Sequence, residues 1–238
     1  MSHWGGMVWR GRIRVSIAPV VGNAATRREQ ILNRIERSAL LAKRNVADVL
    51  LIAVSKGRSV EEIEQLIEAG QRDFGENRVQ EALGKWPALL ARYPDVRLHE
   101  IGRLQSNKAT DAIKLFDVIH SLDRVSLLEA LVKADGKERR PSLYVQVNIG
   151  DEEQKGGCPI GQVGELIEAV QASPLPLAGL MAIPPLGVEP APYFALLAKL
   201  ARRHDVVGLS IGMSKDFEAA VMLGATAVRV GTALFEDP

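Results

Sequence analysis

Eight short apolar segments, each followed by a stretch of helical periodicity, run from Val49 towards the C-terminus. The apolar segments lie at 49–54, 73–75, 98–101, 117–121, 142–149, 177–182, 206–211 and 226–230. The first of them is apolar without interruption, as suits a strand covered on both faces. Helical stretches lie at 79–92, 124–134, 160–172, 193–203 and 215–223. One more is opened by Ser59 with Glu62 three residues on, a capping box, and closed by Gly70. Strict alternation implies parallel strands joined by right-handed crossovers. Eight units within about 190 residues predict a closed (β/α)8 TIM-type barrel, with a doubly wound open sheet as the competing architecture. A helix at 26–44, with Ile31, Ile35 and Ala39 at helical spacing, precedes the first strand. No Gly/Ser/Pro-rich linker breaks the pattern, so residues 23–238 are expected to form one barrel domain with no second domain. Residues 1–22 read as a disordered leader, because Pro19 interrupts an apolar patch already too short for a signal peptide.

The 30 basic and 29 acidic side chains leave a net charge of +1, which gives no electrostatic reason to expect nucleic acid or an anionic membrane as a partner. That near-neutral balance is compatible with a monomer. No run approaches the roughly 20 apolar residues of a membrane helix. A single cysteine, Cys158, excludes an internal disulfide and points to the cytoplasm. His99 and His120 stand alone in strand contexts and His204 near a helix end; none has metal-ligand spacing, so no metal is expected. There is no GxSxG elbow, no Walker loop and no GxGxxG after a strand.

Active sites of such barrels lie where strands end and βα loops begin. The first strand delivers Lys56, either a snorkelling side chain or an amine poised for a Schiff base. The seventh and eighth end in Gly212-Met213-Ser214 and Gly231-Thr232. Small residues and hydroxyls there suit an anion, and barrels commonly bind phosphate after these two strands. Strand alternation puts Arg229 on the face opposite Val228 and Val230. A buried arginine needs a partner, and two stand open: a barrel carboxylate such as Glu76, or a ligand heteroatom. Lys56, Arg58, Arg103, Lys108 and Lys155 are expected to make the mouth locally positive. Cys158 has little to support a reactive role.

Seven motifs then recur in a known order. They are Ala53-Val54-Ser55-Lys56, residues 74–81 with Glu76-Asn77, residues 99–108, Val147-Asn148-Ile149 ahead of Lys155, residues 179–184 around Met181, residues 209–214, and residues 228–235. In this the chain resembles the pyridoxal phosphate homeostasis family, the YggS-type proteins, over about residues 26 to 235. The resemblance implies the barrel of the alanine racemase N-terminal domain and pyridoxal 5'-phosphate as cofactor. It implies a cofactor-binding set of Lys56, Asn77, Met181, Ser214, Arg229, Gly231 and Thr232. Lys56 would form the Schiff base, Ser214, Gly231 and Thr232 would hold the phosphate, Arg229 would meet the pyridine nitrogen, and Asn77 would lie beside the ring. Two positions depart from the family pattern: Glu236 stands where a glycine is usual, close to the phosphate loops, and Glu100 where an aromatic or apolar residue is common.

The resemblance also implies a protein that carries, buffers or delivers the cofactor, transiently meeting apo-enzymes. Arginine cannot accept a proton from the pyridine nitrogen, so the ring would be a weak electron sink. Racemisation survives that limit but needs a second acid/base on the opposite face of the substrate. Tyr93, Tyr144 and Tyr193 fall in helical or mid-strand contexts. The expectation is a non-catalytic carrier, with a small racemase-like enzyme and a cofactor-free Schiff-base aldolase as alternatives.

Overall fold

Helix α1, Ala24–Leu41, is opened by Asn23, whose side chain accepts from the Thr26 amide at 2.9 Å. Its buried stripe is Ala24, Ile31, Ile35, Ser38 and Ala39. It closes through left-handed Lys43, whose amide and that of Arg44 return to the Leu40 and Ala39 carbonyls. The structure is a computed structural model and describes residues 23–135, 140–152 and 156–236. The proposed leader, 1–22, and Lys155 lie outside the described residues.

Eight strands follow: β1 Leu50–Val54, β2 Asp73–Glu76, β3 Arg97–Glu100, β4 Val118–Leu122, β5 Ser142–Val147, β6 Leu177–Ala182, β7 Gly208–Met213 and β8 Ala227–Val230. All neighbouring pairs are parallel, and β8 pairs with β1, so the sheet closes into a barrel in sequence order. The open-sheet alternative is thereby excluded. Between the strands run α2 Val60–Glu68, α3 Val79–Arg92, α4 Ala109–Leu115, α5 Val125–Ala134, α6 Val163–Gln171, α7 Ala191–Arg203 and α8 Phe217–Met222. The capping box at Ser59 and Glu62 is formed in both directions.

The helix after β8, α9 Thr232–Phe235, is a single turn. Helix α1 completes the ring beside it, packing against α2, α8 and α9. Arg34 of α1 grips Glu218 of α8 with both prongs, at 3.1 and 2.9 Å.

Outward-facing strand residues and the helices' inner stripes make one continuous apolar core, including Leu51, Ala53, Phe74, Leu98, Val145, Leu180, Ile211 and Val228. Phe74 meets Trp86 of α3 with ring centroids 5.2 Å apart, a contact worth about 1 kcal/mol beyond its buried area. The alternate residues fill the barrel lumen, where a different chemistry prevails. Ile52, Ile101, Met181 and Ala227 share that space with His99, His120, Ser210 and Arg229, all buried.

Candidate functional site

The C-terminal ends of the strands surround a cavity of about 690 Å³, within the range of small-molecule sites. Lys56, Asn77, Ser214, Arg229, Gly231 and Thr232 all line it. Met181 does not: it is fully buried, one layer down in the lumen, in register with Gln146 and Ser210. Ile183 and Pro184, just beyond the end of β6, line the cavity in its place.

Lys56 extends from the end of β1, solvent-accessible, with no hydrogen bond or ion pair among the described residues. On the far side, the loops after β7 and β8 are tied together, the Gly231 amide donating to Ser214 Oγ at 3.2 Å. Gly212 sets the approach of α8 to this loop. Its φ is +91°, and a Cβ there would fall 2.6 Å from the Cβ of Ala220 and 2.9 Å from Phe217 Cα. Glu236 sits nearby, but its carboxylate pairs with Arg58, which also receives Glu62 at 3.4 Å. The acid is therefore turned to a cation instead of standing free beside the loops, and Arg58 adds no unpaired charge to the mouth.

Arg229 forms part of the cavity floor at 4% exposure. Its Nη1 donates to the Ser210 carbonyl at 2.7 Å and Oγ at 2.6 Å, and Nη2 to the Ala182 carbonyl at 3.2 Å. The possible partnership with Glu76 is not formed. Glu76 faces the helical layer, where its Oε1 accepts from Ser55 at 2.7 Å and Trp86 at 2.9 Å and pairs with Lys85 at 2.7 Å. Burial lowers the Arg229 pKa to about 10, partly opposed by Asp216 on the cavity wall, so the guanidinium stays charged at neutral pH.

From Arg229 a chain of buried polar groups crosses the lumen, and it was not anticipated from the sequence. Ser210 Oγ lies 2.8 Å from His120 Nδ1, His120 Nε2 2.9 Å from His99 Nδ1, and His99 Nε2 2.9 Å from Asp73 Oδ1. A guanidinium only donates and a carboxylate only accepts, so His99 donates to Asp73, and an order in which Ser210 donates to His120 and His120 to His99 satisfies both ends. In that order His120 is neutral and carries its proton on Nε2. Burial holds the His120 pKa well below its ordinary value, with His99 and Arg229 adding to the effect. Burial opposes ionisation of Asp73, but His99 and Arg97, at 2.8 Å, together keep its carboxyl below the usual range. Tyr144 stacks on His120 at 4.4 Å between centroids. The signal in the sequence was period two: His99, His120 and Ser210 each occupy an inward position of its strand.

Cys158 is buried and its thiol is pushed up to about 12, chiefly by burial, so it is not a nucleophile at neutral pH. Among the described residues no group of side chains could hold a metal, and no helix is long and apolar enough to cross a membrane.

Fold and strand ends define a barrel of the racemase type: residues 31–237 match the family model described as alanine racemase, N-terminal domain. Alanine racemase from Bacillus anthracis shares the fold at a TM-score of 0.60 and 17% identity, over 87% of this chain and 55% of that one. More similar is a pyridoxal phosphate homeostasis protein of Pseudomonas aeruginosa, 41% identical over 87% of this chain and 92% of that protein. A relative of the same name in Escherichia coli is 36% identical over 87% and 93%. The chain belongs to the pyridoxal phosphate homeostasis protein family. The solved structure of PipY from Synechococcus elongatus with PLP bound superposes at a TM-score of 0.72 and 41% identity, covering 85% of this chain and 99% of that one.

Proposed function

We propose that this protein binds pyridoxal 5'-phosphate on Lys56 and buffers or delivers it, as a monomer in the cytoplasm. One observation carries the reading. A free lysine amine, a buried guanidinium and two small-residue loops with hydroxyls open into one cavity of suitable size. Membership of a family named for pyridoxal phosphate homeostasis, and the PLP-bound PipY relative, support it.

The residues fit the cofactor group by group. When bound, the group would supply an aldehyde to which a primary amine can add with loss of water. Lys56 supplies that amine at the end of a rigid strand. Ser214, Gly231 and Thr232 would hold the phosphate through hydroxyls and backbone N–H groups. Arg229 would present an N–H to the pyridine nitrogen, and Asn77 would flank the ring. Arg229 cannot receive a proton there, so strong carbanion stabilisation is not favoured. Racemisation needs a second acid/base. Among the described residues lining the cavity, Asp216 is the one carboxylate, and its Oδ1 accepts from the Met213 amide at 2.6 Å. Among the described residues no tyrosine or histidine lines it. The combination favours storage and transfer to apo-enzymes over turnover.

Purified protein given pyridoxal phosphate should gain visible absorbance, and borohydride should fix the group on the peptide containing Lys56. Lys56→Ala should abolish both. A folded wild-type protein that stays colourless refutes the reading, and trapping of a sugar phosphate on the cofactor-free protein would favour the aldolase alternative.

A further inference from the structure

Beside the Lys56 cavity lies a second one, of about 870 Å³, and Asn77 is common to the walls of both. Its walls are the start of α3 and the loop from Gly102 to Lys108, with Arg124 from the loop after β4. The cofactor reading uses none of that loop.

Four cations reach this space: Arg78, Arg103, Lys108 and Arg124. Arg124 is already engaged, by Asp123 at 2.5 Å and by Ser106 Oγ at 3.0 Å. The other three make no hydrogen bond or ion pair among the described residues, in a chain whose overall charge is only +1. Surface cations are ordinarily scattered among acids; here the one acid in the wall is Glu100. Burial pushes its carboxyl up to about 8, so it is largely neutral at pH 7 and cancels little of the positive charge. Asn77 Oδ1 is also buried without a hydrogen-bond partner, an acceptor that suits a hydroxyl and not an anion. Gly102 lets the loop lie close against Asn77: a Cβ there would fall 2.2 Å from the Asn77 carbonyl oxygen.

We propose that this cavity is a second anion-binding site, taking the phosphate of a small phosphomonoester whose organic part occupies the remaining volume. Arginine forks match phosphate oxygens in pairs, and a concave wall of one charge sign concentrates such an ion. Concavity favours a small molecule over an acidic protein surface. The shared Asn77 wall makes the site a neighbour of the Lys56 cavity. The assignment stands on the unpaired cations and does not depend on what Lys56 binds.

The test is titration of the full-length protein with inorganic phosphate, followed by amide NMR, against sodium chloride at matched ionic strength. Two saturable sets of shifts are expected, one at Gly102 and residues 104–108 and one at Ser214, Gly231 and Thr232. Arg103→Ala/Lys108→Ala should raise the dissociation constant of the first set by about tenfold or more and leave the second set and the unfolding midpoint unchanged. If the pair does not fold, Arg103→Gln and Lys108→Gln singly should each weaken the first set severalfold. The proposal is overturned if residues 102–108 respond to phosphate no more than to chloride, or if folded variants respond as the wild type does. A glutamate-rich peptide that shifts the same amides at lower concentration than phosphate would also overturn it, in favour of a protein partner.

Discussion

Glu100→Gln should stabilise the protein in a way that depends steeply on pH. Glu100 lies in β3 with its side chain towards the helices, at 1% exposure, and accepts the Ser121 hydroxyl at 2.8 Å. Burial raises its carboxyl to about 8 from an ordinary 4.5, against smaller opposing effects from Ser121 and the Gly102 amide. A carboxyl whose pKa is raised on folding favours the native state fully below the unfolded value. That contribution is lost as pH rises from 4.5 towards 8. At about 1.4 kcal/mol for each tenfold, the loss across that window is on the order of 5 kcal/mol. A glutamine has the same shape and cannot ionise, so the variant escapes the loss. His120 acts in the opposite sense: its depressed pKa gives stability that is present above 6.5 and lost as pH falls below it. Wild type and variant share that histidine contribution, so it cancels in their difference. Urea unfolding at a series of pH values reads the difference directly. It should be near zero at pH 4.5 and grow to several kcal/mol by pH 9. Two parallel stability curves would refute the burial argument.

Ser210→Ala removes the one donor to His120 Nδ1 and one acceptor of Arg229, and should cost about 1–3 kcal/mol in chemical denaturation. Ser210→Thr, which keeps the hydroxyl, should recover part of that loss. Gly102→Ala drives a methyl into the Asn77 carbonyl and should destabilise by about 1–3 kcal/mol, while perturbing amide resonances around both cavities. Glu236→Ala removes a half-exposed ion pair, leaving Arg58 with Glu62; the unfolding free energy should fall by less than about 1 kcal/mol, and less still at high salt.

The barrel was legible because its strands and helices announce themselves by different periods, and the candidate site because most of its residues follow strand ends. Strand bounds moved by one or two residues, as at β3 and β7, since the last paired residue depends on the neighbour's register and not on local sequence. Helix α4 escaped notice: it is only seven residues long and follows a polar turn at Ser106–Lys108. Alternation correctly turned Arg229 inward. Applied equally to β2, it would have turned Glu76 outward, because Gly75 beside it faces Ile52 and Ile101 in the lumen. What no local pattern supplies is adjacency across the lumen. His99, His120 and Ser210 come from three strands, and only closure of the barrel brings their side chains within 3 Å of one another in sequence.

That closure also explains how a charged arginine is tolerated in the floor of the cavity. A buried guanidinium with no carboxylate in contact is costly. Here three acceptors meet Arg229 directly, and a line of oriented groups runs from Ser210 through His120 and His99 to Asp73 near the opposite rim. Every dipole in that line points its negative end towards the arginine, because the carboxylate at the far end accepts and never donates. The charge is thus met by an orientation held across the whole barrel, and reversing it would require protonating His120 against its burial or turning Ser210 away. An arginine fixed in this way remains a donor through the physiological range, and whatever ring nitrogen it faces stays unprotonated. On the binding mode proposed above, a cofactor seated there would be held by Lys56 and the phosphate loops while its capacity to withdraw electrons is held down, which suits a reservoir better than a catalyst.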